Sequence, residues 1–261
     1  MLILLSPAKN LNFDEAPDAP KPTKPALIKD TAELAETTRK LTPGKLKSLM
    51  KISDDLAKLN YERFQAFKTS GRLTGAKQAA LAFNGEVYWG LEAKSLSEED
   101  LKFAQDHLRI LSGLYGLLRP LDAIQPYRLE MGSSLKNPRG KNLYDFWDDK
   151  IAKEINKTLK GHDDNTIVNL ASKEYFGAVD AKTLKGRVIT PVFKDEKDGK
   201  LRALQFFAKR ARGSMARWAV QNRITNAEDL KKAKVDNYTY KNSLSTNDMW
   251  MFTRPQPPKK P

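Results

Sequence analysis

The sequence predicts an α+β protein folded as one domain, and three observations carry the mixed class. Short apolar runs such as LILL and TIVNL have the length of buried strands. Between them lie stretches with apolar residues at three- and four-residue spacing, the mark of one-faced helices. From Arg187 onward the pattern changes to short apolar segments joined by turn residues, as in hairpins. With 261 residues, 40% hydrophobic and 30% charged, the chain can bury a substantial core under a heavily charged surface. No linker justifies a domain cut, so residues 1–254 read as a single domain and 255–261, PQPPKKP, as a disordered tail.

In order, Met1 to Leu5 reads as a central strand, followed by an extended connection over 13–26 that holds Pro17, Pro20, Pro22 and Pro25. A helix is expected over 32–41, and Thr42-Pro43 then supplies an N-cap with proline at the first helical position. Two short helices follow over 43–51 and 54–67, the second presenting Leu56, Leu59, Phe64 and Phe67 as a core stripe. Ser97-Glu98-Glu99-Asp100 opens another helix, with acidic residues favoured by the dipole of its first turn. Leu101, Ala104, Leu108 and Leu111 keep helical spacing as far as Gly113. A helix from Tyr144 to Leu159 places Trp147, Ile151 and Ile155 on one face, with Gly161 beyond its end, and Thr166 to Leu170 reads as a buried strand. Two hairpins complete the chain: VITPVF and LRALQFF about the Asp198-Gly199 turn, then VDNYTY and MWMFTR.

Composition narrows the chemistry. There is no cysteine, so disulfides, thiolate catalysis and cysteine-held metals are excluded, and only His107 and His162 offer imidazole. We therefore expect neither a metal site built on nitrogen and sulfur nor a cofactor, while a carboxylate site for a hard cation stays open. No apolar run approaches the ~20 residues needed to span a bilayer, and the start MLILLSPAKN lacks a basic leader, which points to a cytoplasmic protein without membrane contact. The formal charge is +14, and residues 182–241 hold 16 Lys or Arg against 6 Asp or Glu. That asymmetry fits a polyanion partner, or simply a solvated surface.

Three stretches could carry function. In ILSGLYGLLRP, two helices joined by a tight Gly113–Gly116 corner would expose backbone N–H groups to a phosphate. The same glycines equally suit a helix C-cap and a close-packing site. In LQFFAKRARGSMARWAVQNR, a helical wheel puts Leu204, Phe207, Ala208, Ala211, Met215 and Trp218 on one side. Lys209, Arg210, Arg212, Arg217 and Arg223 fall on the other, around a Gly213 that would let a phosphate approach. The third group is Ser6 and Lys9 after the first strand, Asn169, Ser172, Glu174 and Tyr175 after the strand near 166–170, and Tyr127, Arg128 and Glu130. Ligands in open α/β sheets sit just past strand ends, so these residues form a candidate pocket, with capping and internal ion pairs as the plainer alternative. P-loop, dinucleotide, nucleophile-elbow and zinc-protease motifs are all missing.

Taken together, LILLSPAKNLNF, AFNGEVYWGL, HLRILSGLYGLLRPLDAIQPYRLEMG, NLASKEYF, PVFKDEKDGK and KRARGSMARW resemble the YaaA family of bacterial peroxide-stress proteins, in order along nearly the whole chain. Asn10 stands where we associate the family with threonine. The resemblance implies a cytoplasmic DNA-binding protein that helps cells withstand hydrogen peroxide, in part by keeping free iron low. It also implies a compact domain whose β core is enclosed by helices and bears a helix-hairpin-helix element. That element would fall on Gly113, Tyr115, Gly116 and Arg119, with Lys209, Arg210, Arg212 and Arg217 adding phosphate contacts. The preferred expectation is sequence-tolerant binding of duplex or distorted DNA, with Tyr115 stacking on an unpaired base; the alternative is an enzyme acting on a small anionic or nucleotide-like substrate near Lys9, Glu130, Ser172, Glu174 and Arg212.

Overall fold

The computed structural model describes residues 1–14, 20–69 and 75–258; Pro17 and residues 259–261 of the expected tail lie outside them. The first strand, β1 (Leu2–Leu5), is buried along its whole length. A short β2 (Asn10–Leu11) follows, then the helices α1 (Ile28–Arg39), α2 (Pro43–Met50) and α3 (Asp54–Ala66). Thr42 caps α2 by accepting the Lys45 N–H, as its place before Pro43 predicts. On α3 the expected core stripe is only half correct: Phe64 is buried, whereas Leu56 and Leu59 are 37% and 39% exposed.

Next come β3 (Lys77–Gln78), α4 (Ala79–Ala82), β4 (Phe83–Asn84), α5 (Glu86–Leu91) and α6 (Glu98–His107). Ser97 and Asp100 form a reciprocal capping box at the start of α6. Beyond it the structure departs from the sequence reading. The helix ends at His107, and the residues expected to continue it form β5 (Leu108–Ser112), paired through a three-residue turn with β6 (Gly116–Leu118). The element is a β-hairpin, so the helix-hairpin-helix expectation is corrected here. Leu101, Ala104, Leu108 and Leu111 do fit a helical period, yet Leu108, Ile110 and Leu111 equally suit a short strand buried at every position, with the Arg109 guanidinium bonded to the Gln105 and Leu108 carbonyls. Parallel pairing with β1, through Ile3 opposite Leu108 and Leu5 opposite Ile110, decides between them.

After β7 (Ala123–Ile124), the helix expected over 144–159 is two: α7 (Leu143–Trp147) and α8 (Lys150–Leu159), broken at Asp148, whose φ is +43°. The chain then forms β8 (Ile167–Asn169), α9 (Lys173–Phe176), β9 (Val188–Lys197), β10 (Lys200–Arg202), α10 (Gln205–Gln221), β11 (Thr239–Tyr240) and β12 (Met249–Pro255). Asp198-Gly199 makes the predicted β9–β10 turn, with both residues at positive φ. Only the first residues of LRALQFF are strand, because α10 begins at Gln205. The second hairpin, β11 with β12, forms as expected, and β12 carries on to Pro255, the first residue read as tail.

The main sheet runs β11-β12-β9-β8-β1-β5-β6, with β10 paired to β9. Its central pairs, β9–β8, β8–β1 and β1–β5, are parallel. From β1 the chain proceeds toward β5 on one side; from β8 it proceeds to β9 on the other. The direction of winding therefore reverses between β1 and β8. At such a reversal the loops leaving the two carboxyl ends diverge and open a crevice, the usual place for a ligand in sheets of this kind. Among the described residues no helix is long and apolar enough to cross a membrane.

Candidate functional site

The loops that leave β1 and β8 meet at that reversal. Ser6 Oγ accepts the Ser172 N–H at 2.8 Å, a bond joining residues 166 apart in sequence, and the Ser6 carbonyl accepts the Tyr88 hydroxyl at 3.0 Å. The Ser6 backbone and side chain are thus held from two sides. Above them opens a cavity of about 530 Å³, within the range of small-molecule sites. It is lined by Ser6 and Lys9 from the first loop, Ser172, Glu174 and Tyr175 from the second, and Arg128 and Glu130 from the segment after the β5–β6 hairpin. Asn84 and Glu86, at the end of β4 and the start of α5, and Lys209 and Arg212 of α10 close the remaining side.

Five of the six expected pocket residues, Lys9, Arg128, Glu130, Ser172 and Glu174, therefore share one cavity, and Arg212 joins them. Asn169 does not line it; its Oδ1 accepts the Ala171 N–H and shapes the turn out of β8. Ser172 does cap α9, accepting the Tyr175 N–H, so the capping alternative holds for that residue as well. The sequence reading missed Asn84 and Glu86. Their stretch, AFNGEVYWGL, carries no chemical motif, and only the tertiary fold lays α5 beside the β1 loop.

The charges in the cavity are unevenly matched. Arg128 donates through Nε and Nη2 to Glu130 Oε1, which also lies 3.5 Å from Lys9 Nζ. Lys209 lies 3.9 Å from Glu86, and Glu174 Oε1 accepts the Gly132 N–H. Two groups are left over. Glu130 Oε2 is buried with no hydrogen-bond partner among the described residues. Arg212 lines the cavity with no ion-pair or hydrogen-bond partner among them, and burial alone lowers its pKa. Partly removing a guanidinium from water without a counter-charge is unfavourable, and an anion in the cavity would relieve it. Burial, then the neighbouring Tyr127 and the Glu174 and Glu130 carboxylates, pushes the hydroxyl of Tyr175, which lines the cavity, above its ordinary range, so it stands there as a neutral phenol.

The residues expected to hold DNA at the β5–β6 hairpin are placed otherwise. A Cβ on Gly113 would lie 2.3 Å from the Leu129 carbonyl oxygen, and one on Gly116, whose φ is +69°, would lie 2.6 Å from the Trp147 ring. Both glycines thus serve close packing. The Trp147 indole N–H bonds the Gly113 carbonyl at 3.0 Å, sealing the corner. Tyr115 is 1% exposed, and its hydroxyl accepts the Gln125 N–H, which leaves no face for a base. Arg119 is engaged by Asp122 through Nε and Nη2. Gly113, Tyr115 and Gly116 are accordingly corrected from a surface corner to a buried one, while Arg119, its side chain 36% exposed, is tied to Asp122.

On α10 the basic side is also partly spoken for. A Cβ on Gly213 would sit 1.7 Å from the Val87 carbonyl oxygen, and one on Gly90 would sit 2.2 Å from the Arg210 carbonyl oxygen. The two glycines let α5 and α10 cross backbone to backbone, so Gly213 admits a helix rather than a phosphate. Arg217 donates to the Leu91 and Glu92 carbonyls, Arg223 pairs with Asp100, and Arg210 lies 3.7 Å from Asp236. Lys209 and Arg212 remain directed to the cavity. Among the described residues no cluster of three or more His, Asp or Glu gathers that could hold a metal ion.

Comparison with known proteins agrees with the order of the matching stretches. Residues 1–244 match the family described as peroxide stress protein YaaA. A UPF0246 protein of Maricaulis maris is 60% identical over 257 residues, covering 98% of this chain and 97% of its own. A UPF0246 protein of Caulobacter vibrioides is 57% identical over 258 residues, covering 98% and 100%, and one of Saccharophagus degradans is 52% identical over 256, covering 98% and 100%. The chain belongs to the peroxide stress protein YaaA family, whose description sets its role in the response to oxidative stress.

Proposed function

We propose that within this response the protein acts as an enzyme on a small anionic substrate, held in the crevice between the β1 and β8 loops. The observation that carries the reading is Arg212, a partly buried cation on the wall of the cavity with no ion-pair partner among the described residues. In this role Arg212 takes the negative group of the substrate, with Lys209 and Lys9 at the rim. Glu130 is oriented by Arg128 through one oxygen, and its other oxygen accepts a hydrogen bond or a proton from the substrate. Ser6, fixed by Tyr88 and Ser172, offers its hydroxyl hydrogen. The test is calorimetric titration with inorganic phosphate and pyrophosphate. The wild-type protein is expected to bind, and Arg212→Ala to lose about a hundredfold in affinity, the worth of a charge-assisted pair. Equal affinity in the two proteins defeats the proposal.

A second reading, in which the anion belongs to DNA in the cytoplasm and binding limits iron-dependent damage there, is supported by the net charge of +14 and by the exposed lysine and arginine at positions 209 and 210 beside the cavity. Its contacts would be to phosphates, so affinity for duplex and bubble DNA should fall steeply with salt. Salt-independent binding, or none, removes it.

A further inference from the structure

A second cavity, of about 470 Å³, adjoins the first and shares Asn84 with it. The helix α5 separates them: Glu86 and Val87 of its first turn face the anion cavity, Tyr88 and Trp89 the other. The second cavity is aromatic and nearly neutral, with Phe83, Tyr88 and Trp89 set against one Glu92 and one Lys94. Trp89 is unusual among the four tryptophans. Trp147 and Trp250 are buried, whereas Trp89 is 49% exposed. It is not loose, because its indole N–H bonds Asn84 Oδ1 at 2.8 Å, and Phe206, itself 48% exposed, lies 6.2 Å away at a tilt of 57°.

An indole that is pinned by its nitrogen and still open on its face is prepared for stacking, since the ordering cost of the side chain has already been met in the fold. Near-neutrality suits an uncharged ring better than a second anion. We infer that this cavity is a subsite for a planar heteroaromatic ring stacked on Trp89. The ligand spanning both cavities is then nucleotide-like, its anionic group at Arg212 and its ring at Trp89, with Asn84 at the junction. This rests on the anion reading above and names the substrate class for it. The same chemistry occurs in a free mononucleotide and in an unpaired nucleotide of a strand.

The experiment titrates wild-type protein, Trp89→Ala and Trp89→Phe with pyrophosphate, with nucleoside monophosphates and with a single-stranded oligonucleotide, read by calorimetry and by the quenching of the exposed indole. The expected result is that nucleotides bind more tightly than pyrophosphate and that Trp89→Ala weakens them about five- to a hundredfold, the range for one stacked base. Pyrophosphate binding should be unchanged in that variant, which also shows it is folded, and Trp89→Phe should recover most of the loss. A Trp89-dependent gain for mononucleotides assigns the free nucleotide; the gain with the oligonucleotide alone assigns the strand. Nucleotide affinity indifferent to Trp89→Ala, with pyrophosphate still bound, overturns the subsite and leaves the anion reading standing. Failure of the wild type to bind either pyrophosphate or nucleotide overturns both.

Discussion

At the scale of single residues, Arg212 joins function to stability. Its guanidinium loses hydration and gains no partner among the described residues, so the folded state is less favourable for carrying it. Arg212→Ala should therefore leave the thermal midpoint unchanged or raise stability by about 1 kcal/mol while anion binding is lost, the opposite of a structural arginine. A drop in midpoint would show an internal partner. The stacked pair His107 and His162, 4.5 Å between ring centroids, responds to pH instead. Burial, then positive neighbours including His107 and Arg109, lowers the His162 pKa from 6.5 to about 4, with Asp106 as the opposing charge. The unfolded chain protonates this histidine first, so stability should fall as pH falls from about 6.5 to about 4, with the full penalty present below that. In thermal scans over that window, His162→Gln should show a shallower decline than wild type; equal slopes would assign the decline to other groups.

At the scale of elements, the crossing of α5 and α10 positions both cavities, because it fixes Glu86 and Trp89 on one helix against Lys209 and Arg212 on the other. Gly213→Ala or Gly90→Ala forces the backbones apart and is expected to cost upwards of about 3 kcal/mol in urea unfolding. Gly44→Ala, in α2 with nothing within 4 Å of the new Cβ, should instead gain about 0.5 kcal/mol. Comparable losses at all three glycines would show that helix propensity, not the crossing, governs. Elements set by local chemistry were legible in the sequence: the caps at Thr42 and Ser97 and the Asp198-Gly199 turn depend on residues within a few positions of one another. Leu108 to Ser112 was not, because its apolar positions fit either period and its pairing partner lies about a hundred residues away at Ile3 to Leu5.

At the scale of the whole molecule, the sheet beyond β8 is tied together by a buried charge pair. Arg254 Nε of β12 donates to Asp195 Oδ1 of β9 at 2.7 Å, the Tyr238 hydroxyl donates to Oδ2, and Arg254 Nη1 reaches the Asp236 carbonyl. Asp195→Asn leaves a guanidinium buried without its charge and should cost about 3–5 kcal/mol in chemical denaturation. A loss under about 1 kcal/mol would mean that water reaches the pair. Length, composition and pattern determined that this chain folds as one α+β domain with β1 at its centre, that it works without thiols, and that polar residues gather after its first and eighth strands, because each of these follows from local periodicity or from residue chemistry. Which cations stay free was decided only by the tertiary structure. Arg217, Arg223 and Arg212 look alike in sequence, and three-dimensional packing supplies the Leu91 and Glu92 carbonyls and Asp100 to the first two while leaving Arg212 facing a cavity. Pairing energy depends on distances across the fold, and spacing along the chain does not encode them.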